Sequence, residues 1–215
     1  MKPKGPGTIL KGMQLTSNRL NSYLDIPMNA ADYWEQHYAS GNNSGSGSHG
    51  DLADFKADVI NGLIEMMMIP SVIDFGSGDG NIASKIQCTN YQGYDVAPTA
   101  VQHCRTHLPQ KSFDLIRDYD GRVACMSLSL DVIFHLLTKD DFETYMDRLF
   151  NAATQLVVIY STNIDLPQLP QAPHVQHHRF TAWINNNRPF WRLVEFIPNR
   201  YPNDSNSDFY VYAPT

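Results

Sequence analysis

Apolar residues in the middle of the chain fall into short blocks separated by stretches of helical period. Val72–Phe75, Tyr91–Asp95, Phe113–Arg117, Val123–Leu130 and Gln155–Tyr160 read as five strands. Between them, Ala83–Gln87, Thr99–His107 and Asp140–Phe150 read as helices. This alternation predicts a parallel sheet covered on both faces. The ending breaks the pattern. Trp191–Ile197 and Phe209–Tyr212 are strand-like, but the polar, Pro-containing stretch between them is too short for a crossover helix, so they should pair antiparallel. Ahead of the first strand, Asn29–Tyr38 predicts a short helix and Asp51–Ile60 an amphipathic one, joined by Gly41–Gly50, which is almost wholly Gly, Ser and Asn.

With 215 residues and 42% apolar content, the chain can bury one full α/β core. Residues 29–215 are read as a single domain, and residues 1–28, mixed and rich in Gly and Pro, as a loose amino-terminal arm. The net charge is −6, with 17 acids against eight Lys/Arg over residues 31–164. No basic face emerges, which weakens a nucleic-acid substrate. Cys88, Cys104 and Cys125 are far apart and odd in number, as expected of reduced thiols in a cytoplasmic protein. The amino terminus lacks a signal-like apolar core, and no apolar run is long enough to span a membrane.

The most informative stretch joins the first strand to its helix: Asp74-Phe75-Gly76-Ser77-Gly78-Asp79-Gly80. Glycines at this density let backbone pass directly under a ligand. In a dinucleotide fingerprint the third glycine comes one residue later, and the aspartate that opens this turn would repel a pyrophosphate. The same carboxylate could accept hydrogen bonds from an ammonium group or lie near a sulfonium. Asp95 closes the second strand 19 residues after Gly76, where a carboxylate can take both hydroxyls of an adenosine ribose. Strand, glycine turn and second acid together resemble the first motif of the class I S-adenosylmethionine-dependent methyltransferases.

That resemblance covers roughly residues 30–215 and implies a seven-stranded, mostly parallel sheet with helices on both faces and a carboxy-terminal antiparallel hairpin. It implies S-adenosylmethionine as cofactor, with Asp74, Gly76, Gly78 and Gly80 at the methionyl end and Asp95 on the ribose. Val96 and Ser129 belong to the same cofactor set. An acid after strand three often receives the adenine amino group in the family, and Asp118 is the candidate here, with a solvated turn acid as the alternative. The segment before the first strand often folds over the cofactor, so residues 41–50 are expected to form a lid flanked by Tyr33, Trp34 and Tyr38. The alternative is a flexible linker.

The acceptor side should follow strands four and five. Ser127 to Leu136 looks like the segment that carries Glu-x-x-Glu-His in some small-molecule and terminal-ribose O-methyltransferases. Here Asp131 and His135 fill the outer positions and Phe134 replaces the inner glutamate. A divalent ion would therefore need help from His174, His177 or His178. Without it, His135 acts as a general base or packs a helix. Asp131, His135, His174 and His178 are the catalytic candidates. His103-Cys104-x-x-His107 has metal-like spacing but falls in the second helix, outside the sheet.

The chain lacks both the Asn/Asp-Pro-Pro-Tyr/Phe motif of methylation at planar amino groups and a Pro-Cys nucleophile for cytosine C5. The expected activity is methyl transfer to a hydroxyl or amine of a small molecule or sugar-containing compound. An RNA, nucleotide or DNA methyltransferase is one alternative, and a methyltransferase-like binding subunit without catalysis is another.

Overall fold

The structure is a computed structural model that describes residues 30–166, 172 and 174–215. The expected loose arm, residues 1–28, lies outside the described residues. Among the described residues seven strands form one sheet: β1 (Ser71–Phe75), β2 (Asn90–Asp95), β3 (Ser112–Leu115), β4 (Ala124–Leu130), β5 (Ala153–Ser161), β6 (Trp191–Ile197) and β7 (Asp208–Pro214). Their order is β3-β2-β1-β4-β5-β7-β6. β1 pairs parallel with β2 and β4, β2 with β3, and β4 with β5. β7 runs antiparallel to both β5 and β6, so it alone opposes the other strands.

Alternation along the strands separates two cores. Val72, Leu128, Val158 and Tyr160 face α2 (Gly50–Met66), α3 (Asn81–Lys85) and α4 (Pro98–His107). Ile73, Phe75, Val157 and Ile159 face α5 (Lys139–Asn151) and α6 (Phe180–Asn187). A one-residue slip of any central strand would exchange its two sets, so the pattern also fixes register. α1 (Ala30–Ala39) lies beside α4, where Glu35 accepts hydrogen bonds from the backbone NH and hydroxyl of Thr99 at 3.0 and 2.6 Å.

Two details differ from the sequence expectation. The third strand stops at Leu115, and Ile116–Asp118 form a single 3-10 turn. α6 was not expected, because its last three residues are asparagines; Phe180 and Ile184, one turn apart, are both fully buried and hold it to the sheet. The chain reverses its lateral direction between β1 and β4. The carboxyl ends of these two strands therefore border the crevice in which ligands of such sheets bind.

Candidate active site

A cavity of about 930 Å³ opens at this switch point. Its floor is the glycine turn. Gly76, Gly78 and Gly80 have φ of 89°, 56° and 80°, the left-handed region that favours glycine. A Cβ on Gly76 would stand 2.4 Å from Val132 Cγ2, and one on Gly78 would stand 2.3 Å from Ser44 Oγ. Gly80 turns away from the cavity and backs onto Cys104. The backbone NH groups of Gly76 and Ser77 both donate to the Tyr94 carbonyl, at 2.7 and 3.0 Å, which fixes the turn to β2.

Two buried carboxylates flank the turn. Asp95 accepts the Gly78 NH on one oxygen and the Ala97 NH on the other, each at 2.9 Å. Each oxygen retains a further lone pair. Burial raises the Asp95 pKa above the usual carboxylate range, against the lowering effect of those NH groups. Asp74 accepts a hydrogen bond from the Tyr91 hydroxyl at 2.6 Å on Oδ2. Its Oδ1 is buried with no hydrogen-bond partner among the described residues. Desolvation raises the Asp74 pKa to about 6, with Tyr91 opposing the shift. Asp74 lines the cavity, and a buried oxygen without a partner is a costly arrangement that a donor from a ligand would relieve.

Residues 41–49 lie across the turn. Ser44 and Asp79 bond reciprocally: the Ser44 NH donates to Asp79 Oδ2 and the Asp79 NH to Ser44 Oγ, both at 2.8 Å. His49 Nε2 also donates to Asp79 Oδ2 at 2.9 Å, and the Tyr38 hydroxyl lies 2.9 Å from Ser44 Oγ. Burial works to raise the Asp79 pKa, but the Ser44 and Asn81 NH groups together with His49 outweigh it and hold the carboxyl below its ordinary range. The Asn81 side-chain amide donates to the Ser48 carbonyl at 2.6 Å.

Beyond the end of β4 the cavity is lined by Asp131 and by rings. Asp131 has φ 57°, a strained value for a non-glycine residue. One of its oxygens accepts a hydrogen bond from Lys56 Nζ and the other from Ser207 Oγ at 3.0 Å. Lys56 is fully buried, also donates to the Gly47 carbonyl at 2.9 Å, and lies 4.5 Å from the centre of the Tyr160 ring. His135 stacks on His174 with centroids 5.6 Å apart and meets Trp34 edge-on at 4.8 Å, while Tyr33 stacks on His174 at 4.8 Å. His135 Nδ1 lies 2.9 Å from the His174 carbonyl, so it carries the proton and Nε2 carries the lone pair. Desolvation lowers the His135 pKa to about 4, with the His174 carbonyl opposing.

The cavity therefore brings together Asp74, Gly76, Gly78, Asp95, Val96, Asp131, His135 and His174 of the residues proposed from sequence. The other four lie off its wall. Gly80 shapes the turn from behind. Ser129 is buried under it, with its hydroxyl 2.8 Å from that of Tyr145. Asp118 is exposed, turned away by the 3-10 segment that follows β3, and Ile116 lines the cavity in its place. His178 stacks on Phe142 at 4.3 Å and its Nε2 donates to the Leu136 carbonyl, whereas its neighbour His177 does line the cavity. Among the described residues no group of three His, Cys, Asp or Glu is disposed to hold a metal ion. Sequence reasoning assigned no role to Asp79 or Lys56. Asp79 stood inside the quoted glycine motif, but Lys56 gave no signal, since a lysine on an amphipathic helix ordinarily belongs to the solvated face.

The fold recurs in solved structures. The fold is similar to that of the N-methyltransferase NodS from Bradyrhizobium japonicum WM9, solved in complex with S-adenosyl-L-homocysteine, at TM-score 0.64 and 12% identity over 87% of this chain and 99% of that one. The chain has the class I methyltransferase fold. The same fold appears in 1,6-didemethyltoxoflavin-N1-methyltransferase from Burkholderia thailandensis, with 1,6-didemethyltoxoflavin and S-adenosylhomocysteine bound, at TM-score 0.61 and 14% identity over 86% of this chain and 87% of that one. Magnesium protoporphyrin IX methyltransferase from Synechocystis PCC 6803, with bound S-adenosylmethionine, gives TM-score 0.59 and 14% identity over 87% and 98%. No protein-family model matches the chain, and no curated protein matches it. Among the described residues no helix is long and apolar enough to cross a membrane.

Proposed function

We propose that this chain is an S-adenosylmethionine-dependent methyltransferase that acts on a hydroxyl or amine of a small molecule or sugar-containing compound. The observation that carries the reading is the buried, unpartnered Oδ1 of Asp74, a residue that lines the cavity whose floor is the glycine turn. It calls for a cationic donor, which the ammonium group of the cofactor would be. Asp74 and the Gly76–Gly78 backbone would hold the methionyl end, and Asp95 the ribose through the lone pairs its two backbone bonds leave. When bound, the cofactor supplies an electrophilic methyl group on a positively charged sulfur.

The chain's own residues would align and deprotonate the acceptor. Tyr33, Trp34, His135 and His174 wall the acceptor end with flat rings, and Asp131, clamped by Lys56 and Ser207, presents a fixed carboxylate beside them. As the bond from acceptor oxygen or nitrogen to methyl carbon forms and the carbon–sulfur bond breaks, the acceptor's proton would pass to His135 Nε2. A base with pKa about 4 cannot strip a neutral alcohol beforehand, but the acceptor oxygen becomes acidic as it is methylated and positive charge develops on it. Alignment supplies most of the remaining rate. The lining also speaks against a polyphosphate acceptor: it includes Asp74, Asp79, Asp95, Asp140, Asp141 and Asp204, with Arg148 among its few cationic side chains.

The test is a thermal melt with S-adenosylhomocysteine, which should raise the transition by mass action, followed by a screen of metabolite extracts and polynucleotides with methyl-labelled S-adenosylmethionine. If NAD shifts the melt and S-adenosylhomocysteine does not, the cofactor is misassigned. Label carried only into polynucleotide would replace the small-molecule acceptor.

A further inference from the structure

Among the described residues β6 is an edge strand of the sheet, paired only with β7. Its residues Arg192 to Phe196 are all exposed, whereas Trp191 at its start packs edge-on against Phe150 of α5. Leu193, Val194 and Phe196 are 47%, 54% and 46% accessible. Soluble proteins commonly guard such edges with a lysine, a single inward charge or a bulge, because a row of open NH and C=O groups beside apolar side chains recruits another strand.

The charges on β6 are of another kind. Pairing with β7 slips by one residue between Leu193 and Glu195, so Val194 is the extra residue of a bulge. Trp191, Leu193 and Phe196 pair with Pro214, Tyr212 and Tyr210 and share one face, as the 5.1 Å contact between the Phe196 and Tyr210 rings confirms. Arg192 and Glu195 pair with Ala213 and Val211 and share the other face, although an odd number of positions separates them. Without the bulge they would point to opposite sides. Neither has an ion-pair partner among the described residues.

We propose that β6 pairs antiparallel with β6 of a second copy of this chain, about a two-fold axis near Leu193 and Val194, to form an isologous dimer with a continuous sheet. A two-fold axis there sets Arg192 of each copy opposite Glu195 of the other, on the same face, with apolar Leu193 and Val194 between the two charge pairs. A lone basic residue at an edge repels a second copy, whereas this disposition of one cation and one anion is complementary to itself.

Sedimentation equilibrium on the full chain, at high micromolar concentration, should give twice the mass of one chain. Arg192→Glu and Glu195→Arg should each set like charges opposite one another and weaken self-association by about tenfold or more. An equimolar mixture of these two variants should dimerise again, because each then supplies the charge the other lacks. The double exchange Arg192→Glu/Glu195→Arg should dimerise on its own. Circular dichroism establishes that each variant is folded. A wild-type chain that stays monomeric overturns the proposal, whether another protein or another segment covers the edge. So do single variants that dimerise as well as wild type, and a mixture of monomeric variants that does not associate.

Discussion

Lys56 and Asp131 form an ion pair between α2 and the turn after β4, with the lysine side chain fully buried and the aspartate largely so. The same ammonium group bonds the Gly47 carbonyl, so one cation ties together the loop over the glycine turn, the strained residue after β4 and the face of Tyr160 on β5. Removing one partner of such a pair leaves an uncompensated buried charge. Lys56→Met should cost about 3–5 kcal/mol and lower the melting temperature by roughly 6–20 °C, while Lys56→Met/Asp131→Asn should recover much of the loss. Additive losses in thermal melts of the two single variants and the double would show that the residues do not couple.

Asp95 holds the glycine turn and is proposed to hold the ribose, and these roles separate in the measurement. Asp95→Ala should weaken S-adenosylhomocysteine binding on the order of tenfold to a hundredfold by calorimetry, the equivalent of one or two charge-assisted hydrogen bonds. Unchanged affinity in a folded variant would confine Asp95 to bracing Gly78.

Asp74 makes two opposite predictions from one shift. Its folded pKa of about 6 lies above the ordinary value of 3.8, so between these values the folded chain binds more protons than the unfolded chain. Stability without ligand should therefore fall as pH rises through that window, with a penalty on the order of 3 kcal/mol at neutral pH. Asp74→Asn should remove most of it and raise the melting temperature of the unliganded protein at pH 7. Cofactor affinity should move the other way, rising with pH through about 6 because an ammonium group needs the ionised carboxylate. Calorimetry of S-adenosylhomocysteine from pH 5 to 8 checks this; flat affinity together with an unaltered variant would take Asp74 out of the site.

The sheet was legible in the sequence because burial on alternate sides writes itself as alternation, and because a glycine turn followed by an acid at 19 residues has few structural meanings. α6 was not, since its helical signal rests on Phe180 and Ile184 against a run of asparagines. Lys56 was hidden for a different reason. Its burial depends on Asp131, 75 residues away, and no local pattern carries that contact. Asp118 and His178 were sound by spacing, yet a 3-10 turn and a stack on Phe142 direct their side chains elsewhere. One residue of backbone phase decides such cases.

Asp79, Lys56 and Asn81 together hold residues 41–49 over the glycine turn, and we expect the segment to act as a lid. Asp79→Ala removes the acceptor for Ser44 and His49, so amide exchange over this segment should speed up while exchange in β1 and β4 stays slow. S-adenosylhomocysteine should bind more weakly, mostly through a faster off-rate. Fast exchange in the loop with an unchanged off-rate would make the segment a cover without a role in retention.

His135 separates base from metal ligand and from packing. As a base with pKa about 4, it is already unprotonated across the working range, so kcat should stay flat from pH 8 down to about 5. An acid limb near 6 should appear in kcat/KM alone, because it reports Asp74 in the free enzyme. His135→Gln should lower kcat by roughly 10²–10⁴ and leave S-adenosylhomocysteine affinity intact, with wild-type activity unaffected by chelator. A metal ligand would behave otherwise: chelator would abolish activity, one divalent ion would restore it, and Asp131→Ala would match the histidine variant. Full turnover by His135→Gln would leave the ring as a wall of the acceptor cavity, stacked between Trp34 and His174 and taking no proton.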